Sequence, residues 1–154
     1  MSPRTSHKFA FHGEWTIRLS KDPRIRLPID AIRQLQEAAV EALRPFPVPK
    51  SRVIYLIPST DWDRQLTELQ DEHPELREPG GYLAFLAPST DRRWDTQGRL
   101  LLPRRYLRDH ASLQSGDDVV LVGFQRRFEV WPEDDHRGFV DRFRMGPDPG
   151  PPGD

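Results

Sequence analysis

Apolar residues near the start of the chain alternate with polar ones and then change to a helical spacing. Every second position from Trp15 to Leu19 is apolar, which predicts a strand over residues 11–19. A second strand is predicted over residues 24–27. Pro28 then opens a helix, because the first helical turn does not need the N–H that proline lacks. The predicted apolar face of this helix comprises Ile29, Ile32, Leu35, Ala39, Val40 and Leu43.

Prolines interrupt the pattern in the middle of the chain. Three prolines within residues 45–49 predict an irregular stretch, since proline interrupts helices and central strands. A strand is predicted over residues 52–57, and Ser59 or Thr60 is expected to cap the helix that follows. The apolar residues of that helix are Trp62, Leu66 and Leu69.

The second half of the chain shows a similar order of elements. A strand–turn–strand unit is predicted over residues 92–102 around Gly98, and a hairpin joins residues 119–122 to residues 128–131. The helical spacing of Phe139, Val140 and Phe143 predicts a last helix.

Two landmarks of the first half recur in the second half. The run RIRLP at residues 24–28 lies 75 residues before RLLLP at 99–103, and VIYLIP at 53–58 lies 74 residues before RFEVWP at 127–132. We therefore expect a tandem repeat with pseudo-twofold symmetry. The expected organisation is a loose N-terminal arm (1–10), a first repeat (11–73), a linker (74–81), a second repeat (82–144) and a disordered tail (145–154) rich in proline and glycine.

Charge alternates along the chain although the net charge is only −1. Residues 17–33 hold five basic and two acidic residues, and residues 90–110 hold six and three. Residues 59–79 and 116–141 are acidic, with seven acidic residues in each. The two basic blocks could form a local positive surface. The acidic helix of residues 61–78 is either a solvated face or a surface that meets arginines of a neighbouring subunit.

Several functional classes are disfavoured by composition. The chain has no cysteine, which excludes disulfides, thiolate zinc sites and a cysteine nucleophile. Its five histidines show no metal-ligand spacing, and no nucleophile elbow or phosphate-binding glycine loop is present. No apolar run is long enough to span a membrane. We expect a cytoplasmic protein that is not an enzyme and has no catalytic residue, metal, cofactor, small-molecule substrate or membrane partner.

The stretch DTQGRLLLP at residues 95–103 resembles the signature of the MraZ family, a D-x-x-x-R turn followed by an apolar strand and proline. VVLVG at 119–123 with FEVW at 128–131 resembles the hairpin that follows it, and FHGE at 11–14 resembles the family's usual start. The resemblance covers residues 11–143. It implies a mainly β fold with helices, a swapped-hairpin barrel like that of AbrB and SpoVT, with two tandem copies in one chain. It also implies a ring-like homo-oligomer and a nucleoid-associated transcriptional regulator that binds direct repeats of double-stranded DNA upstream of the division and cell-wall gene cluster.

The first copy of the motif turn departs from this pattern and is degenerate. Ser20 stands where the family has aspartate and Pro23 where it has glycine, whereas Arg24 is retained. The second copy keeps Asp95 and Gly98. Proline cannot adopt the positive φ that glycine permits, so we expect the first turn to have a different backbone shape.

The resemblance and the basic blocks together nominate residues that would contact DNA, since arginine is the commonest reader of guanine in the major groove. These residues are Lys21, Arg24, Arg26, Arg92, Arg93 and Arg99. Arg99 could instead pair with Asp95 across the turn, an ion pair that Ser20 cannot offer Arg24, so Lys21 and Arg24 are expected to lack a local partner. The alternative function is an AbrB-like oligomeric protein-interaction module that has lost DNA binding.

Overall fold

The computed structural model describes residues 10–146. The predicted N-terminal arm lies outside the described residues except for Ala10, and the predicted tail does so beyond Gly146. No helix within residues 10–146 is long and apolar enough to cross a membrane.

Seven strands form two antiparallel sheets. In chain order, the strands are β1 (Glu14–Arg18), β2 (Arg24–Arg26), β3 (Leu43–Pro47), β4 (Ile54–Pro58), β5 (Arg99–Leu101), β6 (Asp118–Phe124) and β7 (Arg127–Pro132). Five of them form a sheet in the order β1-β6-β7-β4-β3, and β2 pairs with β5 in a separate ribbon. The strands within residues 10–146 therefore leave open edges and do not close into the expected barrel, because the three-residue strands β2 and β5 pair only with each other.

Three helices and several short helical turns connect the strands. The helices are α1 (Ile29–Glu37), α2 (Trp62–Glu72) and α3 (Glu133–Met145). The turns are Ser59–Asp61, Pro74–Arg77, Pro79–Gly81, Tyr82–Leu86 and Tyr106–His110. Helical and extended residues take similar shares, so the fold is mixed sheet and helix and not mainly β as expected.

Each half of the chain pairs its first segment with the other half. β1 pairs along its whole length with β6, from Glu14 opposite Val122 to Arg18 opposite Asp118. In the other direction, Arg92 exchanges two backbone hydrogen bonds of 2.8 Å with Leu43 of β3. The halves are therefore interleaved and do not lie side by side as separate units.

The register of the contacts between the halves agrees with the sequence offsets. In the β2–β5 ribbon Ile25 lies opposite Leu100, 75 positions later, and the flanking pairs are related by the same offset. In the β4–β7 contact Tyr55 lies opposite Glu129, 74 positions later. Both registers are those that a twofold relation between the two predicted repeats requires.

Apolar side chains form two clusters. The larger one joins the β2–β5 ribbon, α1 and the inner face of β1 and β6. The smaller one lies between β3, β4, α2 and the residues that follow α2. Leu76 belongs to this cluster and is 1% exposed. Residues 74–81, expected to be a linker, are thus helical turns packed against α2.

Two other local expectations were wrong. α1 ends at Glu37, and Ala39 has a positive φ of 57°, so Leu43 begins β3 and is not part of the helical face. The proline-rich stretch is a strand because β3 lies at the sheet edge, where proline's missing N–H costs no ladder hydrogen bond. Neither Ser59 nor Thr60 caps α2 with its side chain; Ser59–Asp61 form a helical turn before it.

Two isoleucines provide a matched test of the ribbon's role in the core. Ile25 is 1% exposed whereas Ile29 is 73% exposed. We expect Ile25→Ala to lower the free energy of unfolding by about 2–5 kcal/mol, because the truncation leaves a cavity. Ile29→Ala should change it by no more than about 0.5 kcal/mol. Chemical denaturation of both variants measures this, and equal effects would contradict the packing described here.

Candidate nucleic-acid interface

The β2–β5 ribbon separates the core from a basic surface. Ile25 and Leu100 face the core and are fully buried. Since side chains alternate along a strand, Arg24 and Arg26 of β2 and Arg99 of β5 project from the opposite side. Arg26 and Arg99 lie directly opposite each other in the register. Three of the six residues nominated from the sequence are therefore brought together by one ribbon.

These arginines line an open groove of about 910 Å³ between β1, the ribbon and the start of α1. Its polar lining residues include Arg18, Ser20, Asp22, Arg24, Arg26, Gln97 and Arg99. Arg18 was not nominated from the sequence, although it belongs to the first basic block. Its side chain is exposed on the polar face of β1 and contacts Asp118 at 3.2 Å. The strand alternation that predicts β1 also places Arg18 on this outer face.

The second turn is held together by Asp95. One carboxylate oxygen accepts hydrogen bonds of 2.9 Å from the backbone N–H groups of Gln97 and Arg99, and the other accepts one of 2.9 Å from Arg99 Nε. Gly98 has a φ of 79°, and a Cβ there would lie 3.0 Å from Ile32 and 3.2 Å from the Leu27 carbonyl oxygen. The backbone hydrogen bond from Arg99 is the main reason that the pKa of Asp95 is lowered.

The first turn has a different set of contacts. The Ser20 hydroxyl donates to the Asp22 carbonyl oxygen at 3.4 Å and caps no N–H of the turn. Arg24 Nη1 lies 3.4 Å from Asp22 Oδ2, so the expectation that Arg24 has no local partner was wrong. Aspartate two residues before Arg24 takes the place of the aspartate that is missing four residues before it. The contact is longer than that of Arg99 with Asp95, and both side chains are partly exposed.

Lys21 lies beside a second pocket on the other side of the first turn. This pocket of about 560 Å³ is also lined by Arg104 and Arg108. None of the three side chains forms an ion pair within residues 10–146. The sequence suggested that Arg104 and Arg108 belong to a solvated helix face, and they are indeed exposed. Their convergence with Lys21 depends on the fold and could not be inferred from their spacing.

Arg92 and Arg93 lie away from the groove. Arg92 is half-buried next to β3, and its Nε has no hydrogen-bond partner in the described part of the chain. Arg93 is exposed and lies 3.9 Å from Glu41 in a separate pocket. The six nominated residues thus occupy three different places, and the ribbon arginines form the largest group.

Comparison with known proteins identifies relatives over most of the chain. The transcriptional regulator MraZ of Bifidobacterium longum is 31% identical over 129 residues, which cover 83% of this chain and 81% of the relative. The transcriptional regulator MraZ of Roseiflexus castenholzii is 31% identical over 124 residues, covering 79% of this chain and 80% of the relative. The chain belongs to the MraZ family.

The MraZ similarity is clearest in the second half. The model of the family described as "MraZ protein, putative antitoxin-like" matches residues 85–146. The transcriptional regulator MraZ of Ligilactobacillus salivarius is 34% identical over 82 residues, covering 53% of this chain and 55% of the relative. The part matched by the family model contains the MraZ motif turn in which Asp95, Gly98 and Arg99 are all retained.

The pH dependence of stability tests the role of Asp95 in the MraZ turn. Its folded-state pKa lies below the ordinary value of 3.8, so its contribution is fully present above pH 3.8 and is lost as the pH falls below that value. We expect Asp95→Asn to melt at a lower temperature than the unmodified protein at pH 7. The difference should shrink as the pH falls below 3.8. Thermal melts across this range measure it.

Asp109→Asn is the matched control, because Asp109 is exposed and has no ion pair within residues 10–146. It should melt like the unmodified protein at every pH. A difference between Asp95→Asn and the unmodified protein that stays constant with pH would show that the carboxylate charge does not stabilise this turn.

Proposed function

We propose that this protein is a DNA-binding transcriptional regulator. Its binding sites would be short direct repeats in front of the division and cell-wall gene cluster, and it would act at the nucleoid. Membership of the MraZ family supports regulation of transcription, because the relatives in B. longum and R. castenholzii are named transcriptional regulators. The geometry of the ribbon supports direct contact with DNA.

The observation that carries the proposal is the group of guanidinium groups around one open groove. Arg18, Arg24, Arg26 and Arg99 line it together with a single acidic residue, Asp22. Arg26 has no ion pair within the described residues, and the others each share one carboxylate. Because guanidinium has five N–H donors, an arginine in one ion pair still has donors for a phosphate or a base edge.

Asp95 would prepare Arg99 for such a contact. It binds Arg99 through Nε, so both terminal nitrogens remain available. A guanidinium held in this way loses little side-chain entropy on binding and presents two parallel donors, as the bidentate contact with guanine requires. Arg24 is held less firmly, and we assign it to phosphate.

The second pocket would add phosphate contacts. Lys21, Arg104 and Arg108 are three cations without carboxylate partners, and the first turn separates their pocket from the groove. A backbone phosphate beside the ribbon would relieve their mutual repulsion. Arg92 and Arg93 stay predicted DNA contacts, although their positions support this less than those of the ribbon arginines.

We further propose that residues 11–73 and 82–144 are two copies of an AbrB-like swapped-hairpin unit. The exchange of first segments between the halves and the symmetric registers support this arrangement. The degenerate first turn would be the diverged copy. The pseudo-twofold would present both turns near one ribbon.

Binding of tandem DNA repeats favours a closed, ring-like homo-oligomer. One chain offers one ribbon, and linking several binding sites raises the overall affinity without new contacts. We therefore expect a molar mass well above that of the 18.0 kDa chain. Light scattering at micromolar concentration measures it, and a monomer would remove this part of the proposal.

The alternative is an oligomeric protein-interaction module that no longer binds DNA. The degenerate first turn and the ion pairs of Arg18, Arg24 and Arg99 favour it, because paired arginines attract phosphate less strongly. Salt dependence separates the two candidates. Only a DNA-binding protein should lose affinity for the upstream region steeply and linearly on logarithmic axes as salt increases.

Arg24 and Arg99 are expected to contribute differently. Arg24→Ala should weaken DNA binding more than Arg99→Ala, because its single contact at 3.4 Å leaves it freer to meet phosphate. Arg99→Ala should cost more stability, because it removes the partner of Asp95. Each lost phosphate contact should also flatten the slope of log affinity against log salt by about 0.9 for each engaged subunit. Fluorescence anisotropy at several salt concentrations and thermal melts measure both effects.

Arg33→Ala is a suitable control for this experiment. Arg33 lies in the same basic stretch and its removal changes the net charge equally, but it pairs with Asp30 on the exposed surface of α1 and does not line the groove. It should leave affinity unchanged. Unaltered affinity in Arg24→Ala and Arg99→Ala would reject the ribbon as the DNA contact and favour the protein-interaction module.

A further inference from the structure

The second half of α3 has apolar side chains that nothing in the described chain covers. Phe143 is 79% exposed and Met145 is 84% exposed. Phe139, 47% exposed, stacks on Phe143 with ring centroids 6.3 Å apart. These two rings and Arg142 line a shallow pocket of about 460 Å³. A helix end that buries nothing gains no packing energy, so a face with this composition is a binding surface without its partner.

The corresponding helix of the first half is covered. With the offset of 74 residues that relates β4 to β7, Leu69 of α2 corresponds to Phe143 of α3. Leu69 is only 4% exposed, because Leu76 and Leu86 from the residues after α2 pack beside it in the smaller apolar cluster. The structure therefore contains both a covered and an uncovered version of the same helix face.

The chain itself does not supply an equivalent cover for α3. Residues 147–154 have the sequence PDPGPPGD, which contains no aliphatic or aromatic side chain apart from proline. Such a segment cannot replace the buried leucines that cover α2. The cover of Phe143 must then come from elsewhere, and a second copy of this chain carries a suitable segment.

The helical turn Tyr82–Leu86 is that segment. Tyr82 is 54% exposed and Leu83 is 63% exposed, so the turn presents a small apolar patch. Arg105 fixes the turn by donating hydrogen bonds to the carbonyl oxygens of Leu83 and Ala84 at 2.7 and 3.1 Å. Leu86, on the other side of the turn, is already buried against α2. The turn could therefore contact its own α2 on one side and another α3 on the other.

The charges around the two patches are complementary. On α3, Arg142 and Arg144 flank the rings and have no ion pair within the described chain. Beside the Tyr82–Leu86 turn, the exposed Glu78 also has no ion pair within residues 10–146, and it lies one helical turn before Tyr82. Residues 71–78 hold four acidic residues and one arginine. Opposite charges around two apolar patches favour one orientation and suppress others.

We propose that the Phe139–Phe143 face of α3 in one copy binds the Tyr82–Leu86 turn of a second copy. This inference deepens the proposed homo-oligomer and rests on that part of the proposed function, but it does not depend on DNA binding. The two patches are different surfaces, so the contact is heterologous. Each bound copy presents a free patch of the other kind, and the chain of contacts continues until it closes into a ring.

Two substitutions break opposite sides of this contact. Phe143→Glu and Leu83→Glu each place a charge in one apolar patch while changing an exposed side chain of the single chain. Each variant alone should have the mass of one 18.0 kDa chain by light scattering at a concentration where the unmodified protein is oligomeric. An equimolar mixture should form a complex of about twice that mass and nothing larger. The Phe143→Glu copy supplies an intact turn, the Leu83→Glu copy supplies an intact α3, and no second contact can form.

Ile29→Glu is the control, because Ile29 is exposed and belongs to neither patch. It should keep the mass of the unmodified protein, and circular dichroism should show that all three variants are folded. A Phe143→Glu variant that remains oligomeric would overturn the inference while leaving the homo-oligomer intact. A Leu83→Glu variant that remains oligomeric would do the same and show that α3 meets another surface. A monomeric unmodified protein would overturn both, whereas the DNA-binding proposal is decided separately by the Arg24 and Arg99 variants.

Discussion

Three residues of β2 pair with three residues of β5, and this short ribbon connects the core with the basic groove. Ile25 and Leu100 bury one side of it completely, a contribution of about 1.5–3 kcal/mol for each side chain. The other side presents arginines at positions that the strand alternation fixes. Because both effects come from the same six residues, the placement of the arginines is as rigid as the core to which the ribbon belongs.

The two turns that enter the ribbon solve the same problem in different ways. Both accept the same backbone contact from the other half, since Leu27 N–H donates to the Gly98 carbonyl oxygen and Leu102 N–H donates to that of Pro23, each at 2.8 Å. Only the second turn adds internal hydrogen bonds to Asp95. The first turn depends on proline, whose fixed φ lowers the entropy of the unfolded chain. The external geometry is thus retained while the internal support has changed.

Much of this fold was predictable from the sequence because the repeat offsets determine the registers. The offsets of 74 and 75 residues reappear in the β4–β7 and β2–β5 pairs. They reappear again in two reciprocal ion pairs, Arg52 with Asp135 at 2.9 Å and Arg126 with Asp61 at 4.0 Å. Local patterns were less informative where tertiary position decides. Proline in β3 is tolerated only because the strand lies at an edge, which the sequence of residues 45–49 does not show.

The candidate site was predictable to a smaller extent. Alternation along β2 and the D-x-x-x-R turn identified Arg24, Arg26 and Arg99, and the pairing of Arg99 with Asp95 was one of the two readings left open. The contact of Arg24 with Asp22 was missed because an aspartate two residues away depends on the shape of the turn. The convergence of Lys21 with Arg104 and Arg108 joins residues more than 80 positions apart, which no local pattern reveals.

The exchange of first segments also determines when the protein can fold during synthesis. Arg18 of β1 and its partner Asp118 are separated by 100 residues. At a synthesis rate of about 5–20 residues per second, β1 waits roughly 5–20 s for β6. During that interval it is an unpaired strand edge, the kind of surface that promotes aggregation. Its short length, with Glu14 and Arg18 at its two ends, makes β1 a poor template for pairing with other chains while it waits.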